Sequence, residues 1–146
     1  VGVDGTIIPD LPIGEDEELR SLADNLDIIS LVTTTSKPSR VRTVAQKSQG
    51  FIYAVSTPGT TGARTEISNE IEEKVEQLRE FTDTPIAVGF GISKPEHVET
   101  VTDFADGAIV GSAIIKQIEA NLDQPEQIVD QVGDFIEDLT GSIKNN

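Results

Sequence analysis

The chain contains no cysteine, no methionine and no tryptophan. Without cysteine there is no disulfide, no thiolate nucleophile and no cysteine metal ligand. A single histidine, His97, is too little for a histidine metal cluster and argues against a histidine-centred triad. No window approaches the roughly 18 uncharged apolar residues of a membrane span. The first residues, VGVDGTIIPD, have neither the basic region nor the apolar run of a secretory leader. The missing methionine, at position 1 as elsewhere, points to a processed chain or a piece of a longer one. Basic residues are also few. Eleven Lys and Arg stand against 26 Asp and Glu, for a net charge of −15. Phosphate backbones repel such a surface, which argues against nucleic acid as a partner. The acidic excess fits a soluble protein of the cytoplasm, and it also fits adaptation to salt.

What is present is regular. The 146 residues are enough for one domain with a real core, expected to cover 1–146. Five short runs rich in Ile and Val, at 5–9, 28–32, 51–55, 85–89 and 107–111, read as strands buried on both faces of a parallel sheet. Helical patterns separate them. Residues 15–26 carry Leu19, Leu22 and Leu26 after an acidic start, 38–48 carry Val41, Val44 and Ala45, and 67–81 carry Ile67, Ile71, Val75, Leu78 and Phe81. The stretch 94–105 opens with Ser93 as the expected N-cap and Pro95 in the first turn. A short helix is expected over 113–121 and a second over 125–139. Strands alternating with amphipathic helices define βα units.

Landmarks at the strand starts, Asp4, Asp27, Gly50, Thr84 and Gly107, lie 23, 23, 34 and 23 residues apart. The long interval holds a Gly- and Thr-rich loop, 57–65, after the third strand. A loop of that size at a strand's C-terminal end is usually functional. Five βα units suit either an open sheet or a partial (βα)8 barrel, whose complete form needs about 250 residues.

The strand ends carry the chemistry. The fourth ends Gly89-Phe90-Gly91 and the fifth ends Gly111-Ser112. Glycine admits a ligand close to the backbone, and a helix N-terminus offers free N–H groups. Together they form an anion cradle, at the place where (βα)8 barrels often hold a phosphate. The alternative is that these glycines only make tight turns. The run GFGISK is not a dinucleotide fingerprint, because Lys94 stands where the third glycine belongs. Tyr53 faces either a ligand pocket or the core. Asp10 serves as a loop-bracing carboxylate or a catalytic one. His97 reads as a solvated surface residue, and the run Glu15 to Glu18 as an acidic helix start.

Four segments, VGVDGTIIPDLPIGE, GFIYAVSTPGTTGAR, TPIAVGFGISKPEHV and DGAIVGSAIIKQIEANL, resemble the tryptophan synthase alpha chain family in order and spacing. The likeness covers about the fourth to eighth βα units of that family. It implies α/β architecture of the TIM (βα)8 type, here five parallel units forming a half-barrel. It implies a lyase that cleaves indole-3-glycerol phosphate to indole and glyceraldehyde 3-phosphate and passes indole to a PLP-dependent beta chain. By the same resemblance the phosphate site falls on Gly62, Gly91, Gly111 and Ser112. Tyr53 and Phe90 line the indole pocket, the lid is 57–65 with Thr61 meeting a catalytic aspartate, and Asp10 supports neighbouring loops. No cofactor or metal is implied on this chain. The family's acid–base Glu and Asp belong to units that have no counterpart here, so this chain by itself is expected to be inactive. The alternative is a non-catalytic phosphate-binding half-barrel that pairs as a homodimer. Another phosphate-binding (βα)8 isomerase or aldolase fits the lid less well.

Overall fold

A computed structural model describes residues 2–23, 25–56, 69–89 and 91–141. In chain order the elements are β1 (Gly5–Ile7), α1 (Glu17–Leu22), β2 (Asp27–Thr33), α2 (Pro38–Lys47), β3 (Ile52–Val55), α3 (Asn69–Arg79), β4 (Ile86–Gly89), α4 (Pro95–Thr102), β5 (Gly107–Ile109), α5 (Ser112–Ala120), a 3₁₀ turn (Pro125–Gln127) and α6 (Ile128–Thr140). The five strands are all parallel and run β1-β2-β3-β4-β5 across the sheet. A doubly wound sheet reverses its strand order at a switch point. This sheet never reverses, which is the order of a (βα)8 barrel opened after five units.

Strand pairing divides the side chains cleanly. Ser30 pairs with Ile52 and Ile52 with Ile86, and likewise Val32 with Ala54 and Ala54 with Val88. All of these face the helices and are buried. They meet Val41 and Val44 of α2, Ile71, Val75 and Leu78 of α3, Val98 and Val101 of α4, and Leu139 of α6 in one continuous core. Each such aliphatic side chain, fully buried, stabilises the fold by about 1.5–3 kcal/mol. The stripe expected for α2 packs, as do Ile71, Val75 and Leu78 of the one expected for α3; Phe81 packs half-buried just past that helix, and Ile67 lies outside the described residues. The opposite sheet face carries Leu31, Tyr53, Val55, Ala87 and Ile109, in register by the same pairings, and none of these is fully buried. In a complete barrel that face is the interior.

Several boundaries differ from those expected, each for a local reason. β1 stops at Ile7 because the chain turns at once, with Leu11 N–H donating to the Ile8 carbonyl at 3.2 Å. β5 stops at Ile109 because Gly111 is already the N-cap of α5. α1 is only six residues long and buries none of them. Leu22 is 77% exposed, so the expected Leu stripe does not pack. The N-cap of α4 is Lys94, not Ser93. Pro95 pushes the residue before it out of helical space, and Lys94 is accordingly extended (φ −140°, ψ 153°). Ser93 N–H instead donates to His97 Nδ1 at 3.3 Å, and His97 is half-buried rather than fully solvated.

Candidate functional site

The C-terminal ends of β3, β4 and β5 lie side by side and bring Tyr53, Gly89, Gly91, Gly111 and Ser112 to one rim. Tyr53 sits on the inner face, half-buried, opposite Ala87. Its ring reaches diagonally across β4 to Gly89. A Cβ placed on Gly89 would come within 2.7 Å of both Tyr53 Cε2 and the Tyr53 hydroxyl oxygen. Real Cβ atoms do not approach so closely, so the ring takes the space that glycine leaves. Among the described residues the Tyr53 hydroxyl has no hydrogen-bond partner.

Gly91 follows immediately, with φ +70° and open space where a Cβ would be. Only glycine holds that left-handed conformation without strain. Gly111 likewise has open space at its Cβ position, and no side chain caps α5. The first backbone bond returning to the turn is Ile115 N–H to the Gly111 carbonyl, at 3.2 Å. The N–H groups of Ser112, Ala113 and Ile114 precede it and have no carbonyl one turn back within the helix to receive them. Gly111 and Ser112 are both exposed. Open glycine backbone, free N–H groups and the positive end of a helix of nine residues are what an anion requires.

Asp10 lies at the end of β1, exposed and without a side-chain hydrogen bond among the described residues. The carboxylate that braces this loop internally is Asp16, only 3% exposed. It accepts from Gly14 N–H at 2.8 Å and from Arg20 Nε at 2.6 Å. Arg20 also donates to Gln49 Oε1 at 3.0 Å, the Lys47 carbonyl at 3.2 Å and Ser30 Oγ at 3.2 Å. One guanidinium thus ties the first βα loop to β2 and to the end of α2. Burial pushes the Asp16 carboxyl up, but the Gly14 and Arg20 hydrogen bonds and the Arg20 charge outweigh it and hold the group below its ordinary value. Asp106 repeats the pattern at the opposite end of the sheet. Burial raises it, and Ile86 N–H (2.7 Å) with Arg79 lowers it further than burial raises it. Thr61, Gly62 and Phe90, together with the lid 57–65, lie outside the described residues. No group of three or more His, Cys, Asp or Glu suited to a metal occurs among the described residues. No helix among them is long and apolar enough to cross a membrane.

The sequence reading passed over Asp16, Arg20 and the steric role of Gly89. The first two were visible as an i,i+4 acid–base pair, hidden in a run of acidic residues that reads as a helix start. The role of Gly89 needed the register of β3 against β4.

Strand order, helix placement and the glycine rim define a partial (βα)8 barrel. Residues 1–144 match the model of the tryptophan synthase alpha chain family, and the chain belongs to that family. The alpha chain of Methanocaldococcus jannaschii is 46% identical over 132 residues, which are 89% of this chain and 47% of that protein. The alpha chain of Acaryochloris marina is 43% identical over 145 residues, 97% of this chain and 54% of that protein. A structure from the tryptophan synthase α2β2 complex of Pyrococcus furiosus superposes with a TM-score of 0.82 at 32% identity, covering 96% of this chain and 56% of that one. This chain spans about half the length of the curated relatives it matches.

Proposed function

We propose that this chain is the phosphate-gripping part of a lyase of tryptophan biosynthesis, one that splits indole-3-glycerol phosphate into indole and glyceraldehyde 3-phosphate. The observation that carries the reading is the pair of open backbone turns, Gly91 and Gly111-Ser112, on adjacent strand ends beside Tyr53. In this reading residues 1–146 act as one domain. The phosphate is held by backbone N–H groups of Gly62, Gly91, Gly111 and Ser112, with the helix α5 dipole behind it. Tyr53 and Phe90 border the indole ring. The 57–65 lid closes over the substrate through Thr61, and Asp10 supports the neighbouring loops.

Cleavage requires a proton on indole C3 while the indole N–H and a glycerol hydroxyl each lose one. Those transfers need carboxylates beside the ring, and in this reading the acid–base Glu and Asp are supplied by barrel units other than the five of this chain. In this reading the indole is passed to a tryptophan synthase beta chain in the cytoplasm; the α2β2 complex of the Pyrococcus furiosus relative supports the pairing with a beta chain. A second reading, a half-barrel that pairs with its own copy, is favoured by one feature: the inner sheet face is open, with Ile7 41% exposed.

An indole-release assay tests the first reading. The chain alone should release no indole, and adding the missing barrel units in trans should restore release. Full lyase activity from the chain alone would remove the claim that the acid–base pair lies elsewhere. A solution mass of two chains in the absence of those units would favour the second reading.

A further inference from the structure

Nine carboxylates line two helices on the outside of the sheet. Glu70, Glu72, Glu73, Glu76 and Glu80 lie along α3 and just past it, and Asp130, Asp134, Glu137 and Asp138 lie along α6; all are exposed. Four pairs stand at i,i+4: Glu72 with Glu76, Glu76 with Glu80, Asp130 with Asp134, and Asp134 with Asp138. That spacing brings side chains of one helix face about 5–6 Å apart at Cβ, where like charges destabilise the helix. Few cations offset the repulsion: on α3 only Lys74, at i,i+4 from Glu70, and Arg79 carry positive charge, and Arg42 of α2 lies over the Phe81 ring near Glu80. Lys74 donates to Gln77 Oε1 at 3.0 Å, and Arg79 pairs with Asp106. α6 contains no Lys or Arg, and it ends on Glu137 and Asp138, beside the negative end of its own dipole. Among the described residues the three ion pairs are Arg20–Asp16, Lys47–Glu17 and Arg79–Asp106, and none uses any of the nine.

We propose that these carboxylate ladders make the fold of this chain dependent on ionic strength, so that its native state strengthens as salt rises. The distances decide the matter. The Debye length is about 10 Å at 0.1 M and about 3 Å at 1 M. The ladder spacing lies between the two, so repulsion along α3 and α6 is felt in dilute buffer and screened in concentrated salt. The helix faces turned toward the sheet are aliphatic and contribute no such term.

Thermal unfolding of the complete protein that carries this chain, at fixed pH in 0.1 to 1 M KCl, tests the proposal. The Tm should rise by about 2–8 °C across that range, from the four like-charge i,i+4 pairs relieved. The triple variant Asp134→Asn, Glu137→Gln, Asp138→Asn, all at exposed positions, should be more stable than the parent at 0.1 M and should show a smaller rise. A Tm indifferent to KCl would overturn the proposal. So would a triple variant that keeps the full rise. A rise in potassium sulfate without one in chloride of equal ionic strength would assign the effect to salting-out and overturn it as well.

Discussion

The ring of Tyr53 lies against Gly89, two residues beyond its cross-strand partner Ala87, with no room between them for a methyl group. Tyr53 is thereby held at the rim by the absence of a side chain on the neighbouring strand. Gly89→Ala should push the ring aside at a cost of about 1–3 kcal/mol, the usual range for overpacking. Urea unfolding of Gly89→Ala, Tyr53→Ala and the double variant measures it. The double variant should be less destabilised than the sum of the two singles, because removing the ring removes the closest contacts and leaves only Ile109 Cβ, at 3.0 Å. Strict additivity would show that the two side chains do not share the space.

Gly50 meets two constraints at once. Its φ is +64°, and a Cβ there would fall 2.8 Å from Asp27 Oδ2 and 2.9 Å from Ile29 Cδ1. Gly50→Ala should destabilise by about 2–3 kcal/mol, from left-handed strain and the contact together. The same substitution at Gly91, where φ is +70° with open space, carries the strain without the clash and should cost less. Chemical denaturation of the two variants side by side gives the comparison.

The Asp16 and Asp106 carboxyls are both held below their ordinary value of 3.8. A group whose pKa is depressed by folding adds stability above its unfolded pKa, and that stability is lost as pH falls through the folded value. Acid should therefore begin to erode the fold from about pH 4 downward through these two sites. Asp16→Asn and Asp106→Asn should be less stable than the parent at pH 7 and should show a flatter stability–pH profile below pH 4. Removing the other partner is harsher. Arg20→Leu leaves the Asp16 carboxylate buried without its cation and should cost about 3 kcal/mol or more.

How much of this was legible in the sequence depends on the range of the interaction. The βα rhythm and the helical stripe of Ile71, Val75 and Leu78 are local patterns, and they fold as they read. Leu22 misled because a helical stripe needs a partner surface, and α1 at the sheet's edge buries none of its residues. Ser93 misled because the backbone restriction imposed by Pro95 outweighs its side-chain preference for capping. Arg20 and Gly89 act through residues 10 to 36 positions away, on neighbouring strands, and so required the register.

Leu139 is the single fully buried residue of α6, at 1% exposure, and it joins that helix to the core beneath α4. Leu139→Ala should cost about 2–5 kcal/mol. It should also loosen α5, which packs on α6 behind the Gly111-Ser112 turn. Hydrogen exchange at α5 amides would show faster opening in the variant.

The most direct test of the central claim, that backbone N–H groups of the Gly91 and Gly111-Ser112 turns grip a phosphate ester, is an amide NMR titration with glyceraldehyde 3-phosphate. Saturable shifts at the Gly91, Gly111, Ser112 and Ala113 amides, with those of α1 and α2 unmoved, are the predicted result. Amides at these turns that stay in place while the ligand reaches millimolar concentration would contradict it.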